Sequence, residues 1–245
     1  MRELISRCIC GKEEFISFSM SSRRTTQIQI LIRECLSCAI KHQFVLSSYQ
    51  EHMNQYKKDY SCFEGKDGGQ LVSGERYTHD YQIARKRLEE YNKVLEKGSD
   101  ILDIGSGNGA FADCFRNYGY GVKNLEFCEN YKGTKIDYQG DFTFLSFLPK
   151  SFDVITMHDV LEHLVDPLGA LNKCSWILKN KGILIIDFPD FYNLEGLHHW
   201  KKTEHLWFLR GDELQEMLLD CGFSIIQIKK PISSKLVFYA TKNQS

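Results

Sequence analysis

The chain has 245 residues, 42% of them apolar and 26% charged, with 31 basic side chains against 32 acidic ones. Those values are those of an ordinary globular protein and exclude a disordered chain, and the formal net charge of -1 gives no long-range pull toward nucleic acid or an acidic membrane. No apolar run approaches the roughly 18–20 residues that span a bilayer, and the opening MRELISRCICGKEEF lacks an apolar signal-peptide core. The expected address is therefore the cytoplasm, where cysteines stay reduced and read as core fillers, thiols or metal ligands before disulfides.

The first seventy residues show little helical period and end near a turn, KDGG at 66–69. They read as a small module, 1–70, ahead of a main domain, 71–245. Cys8-x-Cys10-Gly11 and Cys35-x-x-Cys38 could place four thiolates around one zinc ion, as two knuckles joined by strands such as TTQIQILI. The first pair departs from the usual C-x-x-C, and His42 is an alternative ligand. A segment this small has too little core to fold easily alone, so metal would contribute much of its stability. The competing reading is a set of buried, reduced cysteines. Cys62, Cys114, Cys128, Cys174 and Cys221 are dispersed and read as packing.

From about Leu71 onward, short apolar runs alternate with helix-like stretches, the pattern of a parallel sheet wrapped by helices. Ala84, Leu88, Tyr91 and Leu95 fall at helical spacing with Gly98 as a stop. DILDI is the first strand, a short helix covers about Phe111 to Tyr118, and GVKNLEF and TKIDY are the next strands. FDVITMH is a strand apolar on both faces. Asp166-Pro167 opens a helix carrying Leu168, Leu171, Cys174 and Leu178 on one side. GILIIDF, a helix with Leu214, Met217, Leu218 and Cys221 closed by Gly222, and the strands FSIIQIK and SKLVFYA complete the order.

Between DILDI and its helix stands GSGNG. A strand that ends in glycines and feeds a helix presents free backbone N–H groups and lets a ligand touch the main chain, which makes a nucleotide cradle. Glu126 ends the second strand about twenty residues on, where a carboxylate can accept both ribose hydroxyls. The spacing is not GxGxxG, since Ala110 stands where the third glycine of a dinucleotide site would be. Taken singly, Asp103 could merely cap backbone groups, and Glu126 and Asp141 could be solvated strand ends.

The series LDIGSGNG, LEF, GDFTFLSFLPKSFDVITMHDVLEHLVDP and GFSII, over about Asp100 to Ala240, resembles the class I S-adenosylmethionine-dependent methyltransferases. The resemblance implies a Rossmann-like α/β fold, a doubly wound, mostly parallel sheet of seven strands with the last antiparallel. It also implies site roles. Asp103 would orient the loop and the methionine ammonium, Gly105 and Gly107 would admit the cofactor, Glu126 would bind ribose, Asp141 and Phe142 would hold adenine, and His158 would line the methionine side. A zinc-ribbon-like start resembles bacterial enzymes acting on sugar nucleotides or glycan intermediates.

Methyl transfer from a sulfonium needs alignment, water exclusion and, for a hydroxyl acceptor, a nearby base. His158, His163, His198, His199 and His205 are the candidates by pKa class. If HDVLEH opens a helix, Asp159, Glu162 and His163 share a face and could hold a divalent cation, a spacing similar to that of ubiquinone-pathway O-methyltransferases. Helix capping by the acidic residues is the simpler expectation. Tyr192, His199, Trp200 and His205 are expected to wall the acceptor pocket, whereas Trp207, Phe208 and Leu209 are expected to pack the following helix. The function expected is methyl transfer to a small-molecule or sugar-linked acceptor, on oxygen ahead of carbon or nitrogen. Rivals are an RNA methyltransferase gripping nucleic acid through its first module, and a catalytically silent binding subunit.

Overall fold

The computed structural model describes residues 3–21, 29–65, 75–128, 135–202 and 204–244. The KDGG turn, the 70/71 boundary and the start of TTQIQILI lie outside the described residues, as do the side chains of Cys62 and His198. The first module supplies three strands, β1 (Phe15–Ser21), β2 (Gln29–Cys35) and β3 (Lys41–Gln43), and then a helix, α1 (Tyr49–Gly65). This helix was not expected. Its start carries a capping box, with the Ser48 amide donating to Glu51 at 2.8 Å and the Glu51 amide donating to the Ser48 hydroxyl at 3.3 Å.

The main domain runs α2 (Glu75–Tyr91), β4 (Asp100–Ile104), α3 (Ala110–Asn117), β5 (Gly121–Glu126), β6 (Tyr138–Gln139), β7 (Phe152–His158), α4 (Pro167–Ile177), β8 (Leu178–Pro189), β9 (Trp207–Phe208), α5 (Gly211–Asp220), β10 (Phe223–Lys229) and β11 (Lys235–Lys242). Asp166 caps α4 as expected, accepting from the Gly169 amide at 2.8 Å with Pro167 in the first turn. Leu178, expected on that helix, instead begins β8.

Seven strands form one sheet in the order β10-β11-β8-β7-β4-β5-β6, and only β11 runs against its neighbours. β7 sits near the middle, covered on both faces, which is why it reads as a nearly unbroken apolar run. One face packs α2 and α3 through Leu88, Tyr91, Phe111 and Phe115. The other packs α4 and α5, and its core continues without a break into Ile30, Ile32, Cys35 and Ile40 of the small module.

A second sheet has the order β1-β2-β3-β9, all antiparallel. Its fourth strand comes from the far end of the chain, with Lys41 opposite Phe208 and His42 opposite Trp207. Trp207 and Phe208 were expected only to pack against a helix; they also close the sheet of the first module.

Candidate active site

The glycine loop leaves β4 with Gly105, Gly107 and Gly109 at φ 71, 56 and 76, the left-handed region that L side chains enter at a cost of about 1–2 kcal/mol. Left-handed backbone at all three positions accounts for three glycines in five residues. Gly105 has a second reason: a Cβ there would lie 2.4 Å from Val160 Cγ2, so the loop and the segment after β7 touch main chain to side chain. The amides of Gly105 and Ser106 both donate to Leu125 O, at 2.9 and 3.0 Å, tying the loop to β5. Gly109 caps α3, whose start therefore faces the crevice above the strand ends.

Two buried carboxylates flank this loop. Asp103 on β4 accepts from Thr156 Oγ1 at 2.7 Å, while its other oxygen has no hydrogen-bond partner among the described residues. Burial, partly opposed by the Thr156 bond, pushes its carboxyl up to about 7. Glu126, at the end of β5, accepts from the Gly107 amide at 2.8 Å and the Cys128 amide at 2.9 Å. Burial raises its pKa and these amides oppose the rise. A lone buried acceptor at Asp103 and a carboxylate held at the loop's edge fit the ammonium and the ribose diol of an adenosylmethionine, respectively.

Asp141 and Phe142 follow β6. Asp141 accepts from the Thr143 amide at 2.6 Å and from the Tyr49 hydroxyl of α1; Phe142 is buried. Lys173 of α4 closes that turn by donating to Phe142 O and Thr143 O. Tyr56, also on α1, lies 6.2 Å from Phe127 and 5.7 Å from His163, ring to ring. Thus α1 touches both the Asp141 turn, through Tyr49, and His163, through Tyr56.

His158, at the end of β7, has its Nε2 at 2.8 Å from the Tyr91 hydroxyl and its ring 4.8 Å from Phe111. Its Nδ1 is 3.6 Å from Asp103, beyond hydrogen-bond range. Burial holds it well below the usual histidine pKa, so it lines the crevice as a neutral ring. Arg87 of α2 stands beside it, donating to Asp187 at 2.5 Å. No sequence motif singles out Arg87; the periodic apolar stripe of α2 hides a charged residue that the fold turns inward.

The segment HDVLEH does not open an α-helix. Asp159 has φ 55, and a single 3-10 turn covers Leu161–His163. Asp159 is thereby directed to Lys235 on β11, which also approaches Asp187 at 3.4 Å. Burial and the nearby Arg87 bring Lys235 down to about 7. Glu162 and His163 point elsewhere, and the residue that joins them is His205: their ligand atoms all lie within 4.8 Å of one another. The expected trio of Asp159, Glu162 and His163 is therefore not assembled, because a left-handed residue interrupts the helical spacing on which it depended.

His205 is fixed from several sides. Gln43 of β3 donates from Nε2 to Lys201 O and His205 O, both at 3.1 Å, and the Leu206 amide donates to Glu162 O at 2.8 Å. Trp200, expected on the pocket wall, is core instead: it stacks on Phe208 at 4.2 Å and donates to Phe191 O. Tyr192 stays partly exposed, with its hydroxyl on Phe208 O.

In the first module, Cys8 and Cys38 lie 3.4 Å apart, Cys10 and Cys35 3.6 Å apart, and all four sulfurs fall within 4.8 Å of one another. The two turns match despite unequal spacing. Gly11 and Ala39 both take positive φ, and their amides return to Cys8 O and Cys35 O. His42 is not among the cluster; it is buried between Phe15 and Trp207.

A family model described as "Methyltransferase domain" matches residues 75–228, more than half of the chain. With the seven-stranded order and the glycine cradle beside it, this chain belongs to that family and is an S-adenosylmethionine-dependent methyltransferase. It is 28% identical over 190 residues to the ubiquinone biosynthesis O-methyltransferase of Dinoroseobacter shibae, covering 64% of this chain and 74% of that one. An S-adenosylmethionine-dependent methyltransferase from Mesorhizobium loti superposes with a TM-score of 0.54 at 17% identity, over 63% of this chain and 96% of that one. The [4+2]-cyclase SpnF superposes with a TM-score of 0.56 at 15% identity, over 67% of this chain and 81% of that one, so the fold by itself does not fix the chemistry.

Proposed function

We propose that this protein transfers the methyl group of S-adenosylmethionine to an oxygen of a small-molecule or sugar-linked acceptor. The observation that carries the reading is the buried, half-unpartnered carboxylate of Asp103 beside a left-handed glycine loop edged by Glu126. In this reading Asp103 faces the methionine ammonium, Glu126 the ribose, and Asp141 with Phe142 the adenine. His158 lines the methionine side without moving a proton, since its Nε2 is engaged with Tyr91. The bound cofactor supplies the electrophilic methyl on sulfur, and the protein's share is alignment and exclusion of water.

The acceptor side is assigned to the face formed by His163, His205 and Tyr56 of α1. Support comes from its position: Val160 packs on Gly105, and the 3-10 turn that carries Glu162 and His163 follows at once. The name of the Dinoroseobacter relative supports oxygen as the methylated atom. The near-neutral charge gives no support to a nucleic-acid acceptor.

We also assign the four cysteines to a structural zinc site. A tetrahedral zinc with bonds of about 2.3 Å needs sulfurs about 3.8 Å apart; Cys8–Cys38 and Cys10–Cys35 stand at 3.4 and 3.6 Å, and all four sulfurs lie within 4.8 Å of one another. Titration calorimetry with S-adenosylmethionine tests the first assignment. Binding in the micromolar range is expected, and its loss in Gly107→Val, where a branched side chain would have to adopt φ 56. Undiminished binding in that variant would refute the placement of the pocket.

A further inference from the structure

Glu162, His163 and His205 present a problem of unmatched lone pairs. His163 Nδ1 faces Glu204 O at 2.8 Å and His205 Nδ1 faces His199 O at 2.5 Å. A carbonyl can only accept, so both Nδ1 atoms carry the proton and both Nε2 atoms turn a bare lone pair inward. Glu162 is 1% exposed, and neither of its oxygens has a hydrogen-bond partner among the described residues. Its Oε1 lies 3.8 Å from His163 Nε2, and the rings of His163 and His205 meet edge to face at 4.6 Å. Two acceptor nitrogens and a buried carboxyl with no donor therefore converge, with His163 the least enclosed of the three, and a cation among them would satisfy all three.

We infer that Glu162, His163 and His205 form a divalent metal centre that takes a borderline transition ion of the zinc or ferrous class. The donor set is two imidazoles and one carboxylate, which suits such ions rather than magnesium or calcium. The backbone carbonyls on both Nδ1 atoms fix the tautomer and aim each Nε2, an arrangement common behind metal-bound histidines. Bonds of about 2.0–2.2 Å put neighbouring donors about 3.0–3.5 Å apart, so the widest pair closes by at most about 1.3–1.8 Å from the present limit of 4.8 Å. Three protein ligands leave coordination positions open, and an acceptor oxygen bound there would lose its proton more readily. Asp159 takes no part, being committed to Lys235. The third ligand comes from the loop that Gln43 holds, so the small module helps set the geometry of the centre.

The role given to the ion rests on the methyltransferase reading; its binding does not. The test uses the full chain, stripped of metal and titrated with cobalt(II), with metal content measured after desalting. The expected result is two ions per chain: one with thiolate charge-transfer absorption, from the cysteines, and one without. Glu162→Gln and His205→Asn should each weaken the second ion by at least about 10–100-fold and leave the thiolate band unchanged. Glu162→Gln keeps the side-chain shape, and its amide can donate to the inward lone pairs, so this variant is the one expected to fold normally. Calorimetry with S-adenosylmethionine on the same samples checks the fold and the cofactor reading separately. Absence of a second ion in the wild type, or its persistence in both variants, overturns the assignment. A second ion together with no cofactor binding would instead sink the methyltransferase reading.

Discussion

Gly105→Ala is the sharpest probe of how the loop is built. The added methyl would meet Val160 Cγ2 at 2.4 Å while the backbone stays at φ 71. The left-handed conformation costs a non-glycine residue about 1–2 kcal/mol, and overpacking against a β-branched neighbour adds about 1–3 kcal/mol. The sum, about 2–5 kcal/mol, corresponds to a fall in Tm of at least about 4 °C for a chain of this size. Val160→Ala in the same chain removes the offending methyl and leaves only Val160 Cβ, at 3.7 Å, an ordinary contact. The double variant should therefore recover the steric part but not the conformational part, with a coupling energy of about 1–3 kcal/mol in a thermal-unfolding cycle. An equal drop in both backgrounds, or a drop below about 2 °C, would show that Val160 does not press on the loop.

Asp103 makes the system pH-dependent in two opposed ways. Its folded pKa of about 7 lies above the ordinary carboxylate value, so the folded state holds the extra proton between about pH 4 and 7. Its contribution to stability is present below that window and lost as pH rises through 7; Asp103→Asn should flatten this part of the unfolding profile. Cofactor affinity should move the other way, rising from pH 6 to 8 as the carboxylate ionises, and a calorimetric profile with no such rise would remove Asp103 from the ammonium site. Thr156→Val deletes the one donor that Asp103 has among the described side chains and should shift the affinity profile to higher pH. Chelation of the cysteine site should melt the four-stranded sheet before the seven-stranded one, giving two transitions by circular dichroism where the metallated protein gives one; a single unchanged transition would mean the thiols hold no metal.

Much of the main domain was legible because its period is local. Runs such as FDVITMH and GILIIDF announce buried strands, and the glycines announce the turn where side chains are absent. Asp103, Glu126 and Asp141 could be named because each ends or follows a strand whose position the pattern gives. What failed was non-local or irregular. Asp159 was placed on a helix face by counting, and a single positive φ moved it to a different neighbour. His205 meets Glu162 only because a loop returns beside the end of β7, a contact with no sequence period. α1 was missed for lack of apolar periodicity, although Ser48-x-x-Glu51 was a readable start signal. Arg87 and Lys235 were invisible for a similar reason: inward-facing charges in a helix and a strand look like solvent-facing ones until the packing is known.

The strand shared between the sheets has a consequence for synthesis. β3 is made early, yet its partner β9 leaves the ribosome more than 160 residues later. Throughout that interval the nascent chain carries β3 as an open edge, whose unpaired main-chain groups invite association with other chains. The knuckles can close as soon as their cysteines emerge, but the sheet they anchor is completed only when the later domain arrives. A truncated first module should accordingly be poorly soluble, and supplying the missing piece as a separate fragment should rescue it.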